Sequence, residues 1–163
     1  MARPLRALRP VELDFLATAP VRLVFADEIA AAPDAVYRAL ADDVAGWPRW
    51  FTAVVAARST HQGAGREIRL KGGVVFGETI LAAQPGARYA YRVDQTNAPG
   101  PRALLEEWRL TPAPGGCRVQ WTMAADGPAP LRIAMRLGRR GPGRAFTTAV
   151  RGLERLLARS PAP

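Results

Sequence analysis

Three acidic residues, Asp27, Glu78 and Glu106, stand where a strand-like alternation would otherwise place apolar side chains. A carboxylate on an apolar face is costly unless it is paired or protonated, so each is a candidate for chemistry. With a raised pKa, Glu106 or Asp27 would act as a general acid or base on a bound molecule while Tyr89 or Tyr91 donates a hydrogen bond. The structural alternative is that each lies near a strand end, or beneath Arg132 or Arg136, and reaches water or an ion pair. His61 is the sole histidine, in the polar segment from Thr60 to Gly65, and Cys117 is the sole cysteine. Their isolation leaves a zinc site or a Cys-His nucleophile pair without support, and neither a metal nor another cofactor is expected. Gly72-Gly73 lacks the Lys and Ser/Thr of a phosphate loop and reads as a two-residue hairpin turn. Arg132, Arg136, Arg139, Arg140 and Arg144 form either a solvated face or a contact for acidic lipid headgroups or an acidic carrier protein.

The elements that would position these residues follow from periodicity. Val21 to Ile29 alternates as a half-buried strand, and Pro33 opens a short helix through Leu40, followed by a second around Val44 to Trp50. Beyond Phe51, strands are expected near 52–59, 66–71, 74–83, 87–95, 103–111 and 116–125, punctuated by glycine and proline turns. Phe146, Ala149, Val150, Leu153 and Leu157 recur at helical steps, and Leu131, Ala134, Met135 and Gly138 give a shorter stripe. Gly141-Pro142-Gly143 is expected to break or kink the helix between the two. Residues 1–20 show no strong period, although Val11 to Ala17 suits a short helix, and they read as an N-terminal extension. The core domain is placed at 21–159 and a tail at 160–163.

Strand, two short helices, six strands and a long helix is the order of the START-like, or helix-grip, fold. The run from Ile29 to Asp42 resembles the first strand-to-helix junction of the polyketide cyclase/dehydrase and lipid-transport family within that superfamily. Trp47-Pro48-Arg49-Trp50 resembles its tryptophan site, where the two indoles anchor short helices or touch ligand. Glu107 to Pro112 and Gly115 to Trp121 resemble its last hairpin, with Cys117 where a Thr is usual. The resemblance implies an α+β fold, a seven-stranded antiparallel sheet wrapped around a long C-terminal helix. It also implies that the first strand lies beside the seventh, with the second at the far edge. In that order Asp27 and Glu106 lie two strands apart, about 10 Å, close enough for one ring-sized ligand to touch both. A sheet curled round a helix leaves space between them, lined by the inward parity. The candidate ligand-binding residues are Phe25, Phe76, Glu78, Tyr89, Tyr91, Trp108, Trp121 and Met123 from the strands, with Met135, Phe146 and Val150 from the helical end.

With 163 residues and 48% hydrophobic content, the chain can bury a core as one domain without metals or disulfides. Its longest apolar runs fall far short of the roughly 20 residues that cross a bilayer. The acids Glu12 and Asp14 interrupt any signal-peptide core, and the lone cysteine agrees with a cytoplasmic location. The net charge of +9 is concentrated at the ends, with three Arg in residues 1–10 and eight in residues 130–159. The body between is close to neutral and has no basic stripe interleaved with aromatics, so nucleic acid is not an expected partner. The expected ligand is a small hydrophobic or aromatic molecule, polyketide- or lipid-like. Two activities stay open: cyclisation or dehydration of that molecule, and non-catalytic carriage or sensing.

Overall fold

A computed structural model describes residues 3–159, so the expected tail at 160–163 lies outside the described residues. The strands are β1 (Arg6–Ala7), β2 (Val21–Ile29), β3 (Val54–Thr60), β4 (Gly65–Leu70), β5 (Val75–Gln84), β6 (Arg88–Thr96), β7 (Ala103–Ala113) and β8 (Gly116–Asp126). The helices are α1 (Phe15–Thr18), α2 (Pro33–Tyr37), α3 (Ala129–Leu137) and α4 (Arg140–Arg159). A π-helical turn, Arg38–Asp42, and a 3-10 helix, Val44–Arg49, continue from α2. The sheet runs β2-β8-β7-β6-β5-β4-β3, all antiparallel, and β1 pairs with β6. Seven of these strands form the helix-grip arrangement implied by the sequence, with β2 beside β8 and β3 at the far edge.

The inner face of the sheet packs on α2, the 3-10 helix and α4. Phe146, Ala149, Val150 and Leu153 form the buried stripe of α4. They meet Trp47, Trp50, Phe51, Trp108 and Trp121, so the two helix-borne tryptophans anchor short helices into the core. Trp47 donates from Nε1 to the Leu40 carbonyl at 3.0 Å. Gly152 is where α4 crosses the Trp50 carbonyl; a Cβ there would approach that oxygen to 2.6 Å.

Two details differ from the sequence reading. The Gly72-Gly73 connection closes as a three-residue loop: the Leu70 N–H donates to Val74 at 2.8 Å and the Gly73 N–H to Leu70 at 3.1 Å. Lys71 takes the first central position, and both glycines carry the positive φ that a side chain would resist. The helical break lies at Gly138-Arg139, ahead of Gly141-Pro142-Gly143. Pro142 falls in the first turn of α4, where its missing N–H has no intrahelical partner to lose, so it starts a helix instead of breaking one.

The N-terminal segment is woven into the sheet. Where β7 diverges from β6, the Leu8 N–H donates to Asp94 and the Arg9 N–H to Arg102, each at 2.8 Å. Val11 and Phe15 then cover Ala103, Leu105 and Ala124 on the outer face, making a second hydrophobic layer.

Candidate functional site

The inner surface of the sheet carries a buried polar group built on one cation. Arg66, on the inward parity of β4, is 2% exposed and forms an ion pair with Glu78 of β5. Its Cζ stands 3.7 Å from the centroid of the Tyr91 ring and 4.2 Å from that of Trp47, so two aromatic faces complete its surroundings. Burial alone would lower the Arg66 pKa, and Glu78 together with Tyr91 and Tyr89 more than offsets that, keeping the guanidinium charged. Arg66 is absent from the sequence candidates, although it shares the parity of Ile68 and Leu70. The alternation that marks the acids marks it equally.

Glu106 of β7 lies two strands away from Glu78 and has a different environment. Its Oε2 accepts from the Tyr91 hydroxyl at 2.8 Å and the Trp121 Nε1 at 3.1 Å. Trp108 Nε1 donates to that same tyrosine oxygen at 3.0 Å. Burial raises the Glu106 pKa, opposed by the Tyr91 hydrogen bond, the charge of Arg66 and the Trp121 hydrogen bond. Burial likewise pushes Glu78 up, to about 7, against the pull of Arg66 and with the repulsion of Glu106. One guanidinium thus faces two buried carboxyls, and the group retains a proton that exposed carboxyls would release. Tyr91 is held well above its ordinary value by burial and by the Glu106 charge, so it stays a hydrogen-bond donor.

Asp27 is not part of this group. Along the ladder Leu23 pairs with Met123, which pairs with Glu106, whereas Asp27 pairs with Val119 and so with Leu110. Asp27 therefore lies four residues farther along its strand, and a lateral spacing of about 10 Å becomes a separation of about 16 Å across the sheet. The expected shared ligand contact fails on register. Both Asp27 oxygens accept from Arg151 Nη2 of α4, at 3.0 and 2.9 Å. The carboxylates also take their partners elsewhere than from Arg132 or Arg136: Arg136 donates to the Pro20 carbonyl at 2.6 Å.

The remaining candidates divide by accessibility. Glu78, Tyr89, Tyr91, Trp108, Trp121, Phe146 and Val150 are buried in packed surroundings. Phe25, Phe76, Glu106, Met123 and Met135 keep partial exposure. Four of these five, Phe25, Phe76, Met123 and Met135, pack around Val21, Leu23, Val93, Leu104 and Ala125 at the end of the sheet nearest α3. Phe25 also floors an open groove of about 920 Å³ beside the α3–α4 elbow, lined by Arg136, Leu137, Arg139, Arg140, Gly143, Arg144, Thr147 and Thr148. Of the groove-lining residues, Leu137, Thr147 and Thr148 carry no signal in the sequence, because an elbow brings them together and periodicity describes only straight segments. His61 stands in the exposed β3–β4 loop and Cys117 is buried. Among the described residues, no group of His, Cys, Asp and Glu could hold a metal ion, and no helix is long and apolar enough to cross a membrane.

Known proteins share both the sequence and the fold. A family model described as polyketide cyclase / dehydrase and lipid transport matches residues 20–158. Uncharacterised proteins of Mycobacterium tuberculosis and Mycobacterium bovis are 35% identical over 130 residues, 77% of this chain and 77% of theirs. The Zhui aromatase/cyclase from Streptomyces sp. R1128 superposes with a TM-score of 0.68 at 17% identity, covering 85% of this chain and 94% of that one. A START superfamily protein from Mycobacterium smegmatis gives 0.65 at 12% identity, covering 84% and 97%. At these identities the structural likenesses show the fold alone.

Proposed function

Since the chain belongs to the polyketide cyclase/dehydrase and lipid transport family, we propose that it holds a small hydrophobic or aromatic molecule, polyketide- or lipid-like, between the sheet and α3. The observation that carries this reading is the uneven packing of the inner surface. The half around Trp47, Trp50 and Trp108 is sealed, whereas Phe25, Phe76, Met123 and Met135 remain partly accessible beneath a helix with no buried residue of its own. Apolar walls with a few polar groups are what a small-molecule site requires, and Glu106 is the polar group at their edge. Native mass spectrometry of the purified chain, with titration of aromatic polyketides and fatty acids followed by tryptophan fluorescence, tests it. The expected result is a retained or added small molecule that quenches Trp121. Absence of any such binding, with Met123→Trp leaving fluorescence titrations flat as well, would refute it.

A second reading, catalysis of cyclisation or dehydration, is favoured by one specific feature. Glu106 is an inward carboxyl with no arginine hydrogen-bonded to it, both its bonds fall on Oε2, and its pKa is raised by burial. A carboxyl so placed, in its protonated form, is suited to protonate a leaving hydroxyl or a carbonyl oxygen of the ligand. Asp27, held by Arg151, has no part in this proposal. Glu106→Gln keeps an acceptor for Tyr91 and Trp121. With a turned-over substrate, this change is expected to lower the rate about 100-fold or more while leaving affinity within a few-fold. Unchanged turnover would remove Glu106 from the chemistry.

A further inference from the structure

The exposed side of α3 combines an apolar pair that packs on nothing inside this molecule with a cationic rim, in which Arg136 donates to the Pro20 carbonyl and Arg139 lies over the Phe25 ring. Ile133 is 54% exposed and Leu137 is 80% exposed, one turn apart on the same side of the helix. At 100° per residue, Arg132 and Arg136 border that apolar pair along one side, while Leu131 and Met135 turn inward. The chain then bends at Gly138 and presents Arg139, Arg140 and Arg144 around the elbow groove. Residues 127–150 hold these five arginines and no acid.

We propose that the α3–α4 elbow docks on a bilayer surface containing anionic lipid, with α3 lying in the interface. An amphipathic segment with protruding aliphatic side chains and a cationic rim matches the apolar boundary and the phosphate layer of such a surface together. Arginine stems cover apolar surface while their guanidinium groups reach the headgroups. An acidic protein or a nucleic acid would use the cations and leave Ile133 and Leu137 in water, which is why the bilayer is the occupant the surface fits. Docking there would place the groove floored by Phe25 against the lipid, on the side where α3 covers the partly accessible residues. The docking stands on the surface alone and needs no internal ligand.

The test is co-sedimentation of the full chain with vesicles of phosphatidylcholine alone or with about a third phosphatidylglycerol, at two ionic strengths. Binding to the anionic vesicles, weakened by salt and at least about tenfold poorer on the neutral ones, is expected. Arg140→Glu/Arg144→Glu should lower it at least about 20-fold, since each arginine near such a surface contributes about fivefold. Ile133→Ser/Leu137→Ser should lower it about tenfold while leaving thermal melting unchanged, because both side chains are already exposed in the folded chain. Failure to sediment with either vesicle overturns the proposal. So does vesicle binding that ignores Ile133→Ser/Leu137→Ser and is fully competed by duplex DNA or polyglutamate, which would assign the arginines to an acidic polymer.

Discussion

In the group formed by Arg66, Glu78 and Glu106, burial outweighs pairing at the two carboxyls, whereas the partners outweigh burial at the guanidinium. A carboxyl raised from its unfolded value of 4.5 to about 7, as Glu78 is, holds a proton in the folded chain that the unfolded chain has released. Between those values the folded state binds more protons, so stability is full below about 4.5, falls as pH rises toward 7 and then levels. The loss expected is on the order of 3 kcal/mol. Glu67 and Glu154 act elsewhere, below their ordinary range, because hydrogen bonds from Arg58 and from the Ala30 N–H hold their carboxylates low. Urea midpoints measured from pH 5 to 8 should therefore decline through the window and flatten in Glu78→Gln; a rise across it would contradict this assignment. The inward acids were legible in the sequence because alternation exposes a polar residue among apolar ones. Their partners were not. Arg66 sits directly opposite Glu78 in the regular β4–β5 hairpin, a register set by the three-residue loop from Lys71 to Gly73, whereas Arg151 reaches Asp27 from a helix more than a hundred residues away. Read as a two-residue turn, Gly72-Gly73 would set Arg66 opposite Thr79 instead of Glu78, and nothing local in the sequence encodes the meeting of Arg151 with Asp27.

Among the elements, α3 and α4 have similar composition and opposite roles. Helix α4 buries Phe146, Ala149, Val150 and Leu153, whereas α3 buries no residue and rests on the sheet through the partly covered Leu131 and Met135. Helices of nine residues have little stability apart from tertiary packing, so α3 is expected to open locally while α4 opens only with the whole fold. Hydrogen exchange over 129–137 should be at least about tenfold faster than over 146–157, and a bound small molecule should slow the first segment selectively. Equal protection of both would show α3 to be fixed scaffold. Helical periodicity identified the stripe of α4, but of the shorter stripe only Leu131 and Met135 are partly covered while Ala134 and Gly138 are exposed, and the joint between the helices lies elsewhere than expected. Glycine and proline signal a boundary without saying on which side of it they fall, and here capping geometry put them inside the first turn of α4.

At the scale of the whole molecule, the least legible part of the sequence closes the fold. Residues 1–20 show no period, and among them residues 3–20 contribute a two-residue strand, a four-residue helix and single apolar side chains, each answering to a different partner. Leu8 joins the inner cluster with Val93 and Leu104, while Val11 and Phe15 cover the outer face of β7 and β8. Ion pairs of Arg9 with Asp126 and of Glu12 with Arg92 fasten the segment at two points. Exposed pairs of this kind contribute about 1 kcal/mol or less, so the burial of the apolar side chains dominates. Phe15 is 7% exposed, and Phe15→Ala should cost about 3 kcal/mol, the lower end for a core phenylalanine, because one side of its site borders solvent. The same change bares Ala103, Leu105 and Ala124 in the middle of the sheet, where strands buried on both faces are made of small and aliphatic residues with no charge to keep them soluble. A lowered urea midpoint accompanied by increased binding of a hydrophobic dye is the expected signature. A midpoint within about 0.5 kcal/mol of the parent, the range of surface substitutions, would mean that the segment lies on the sheet without stabilising it.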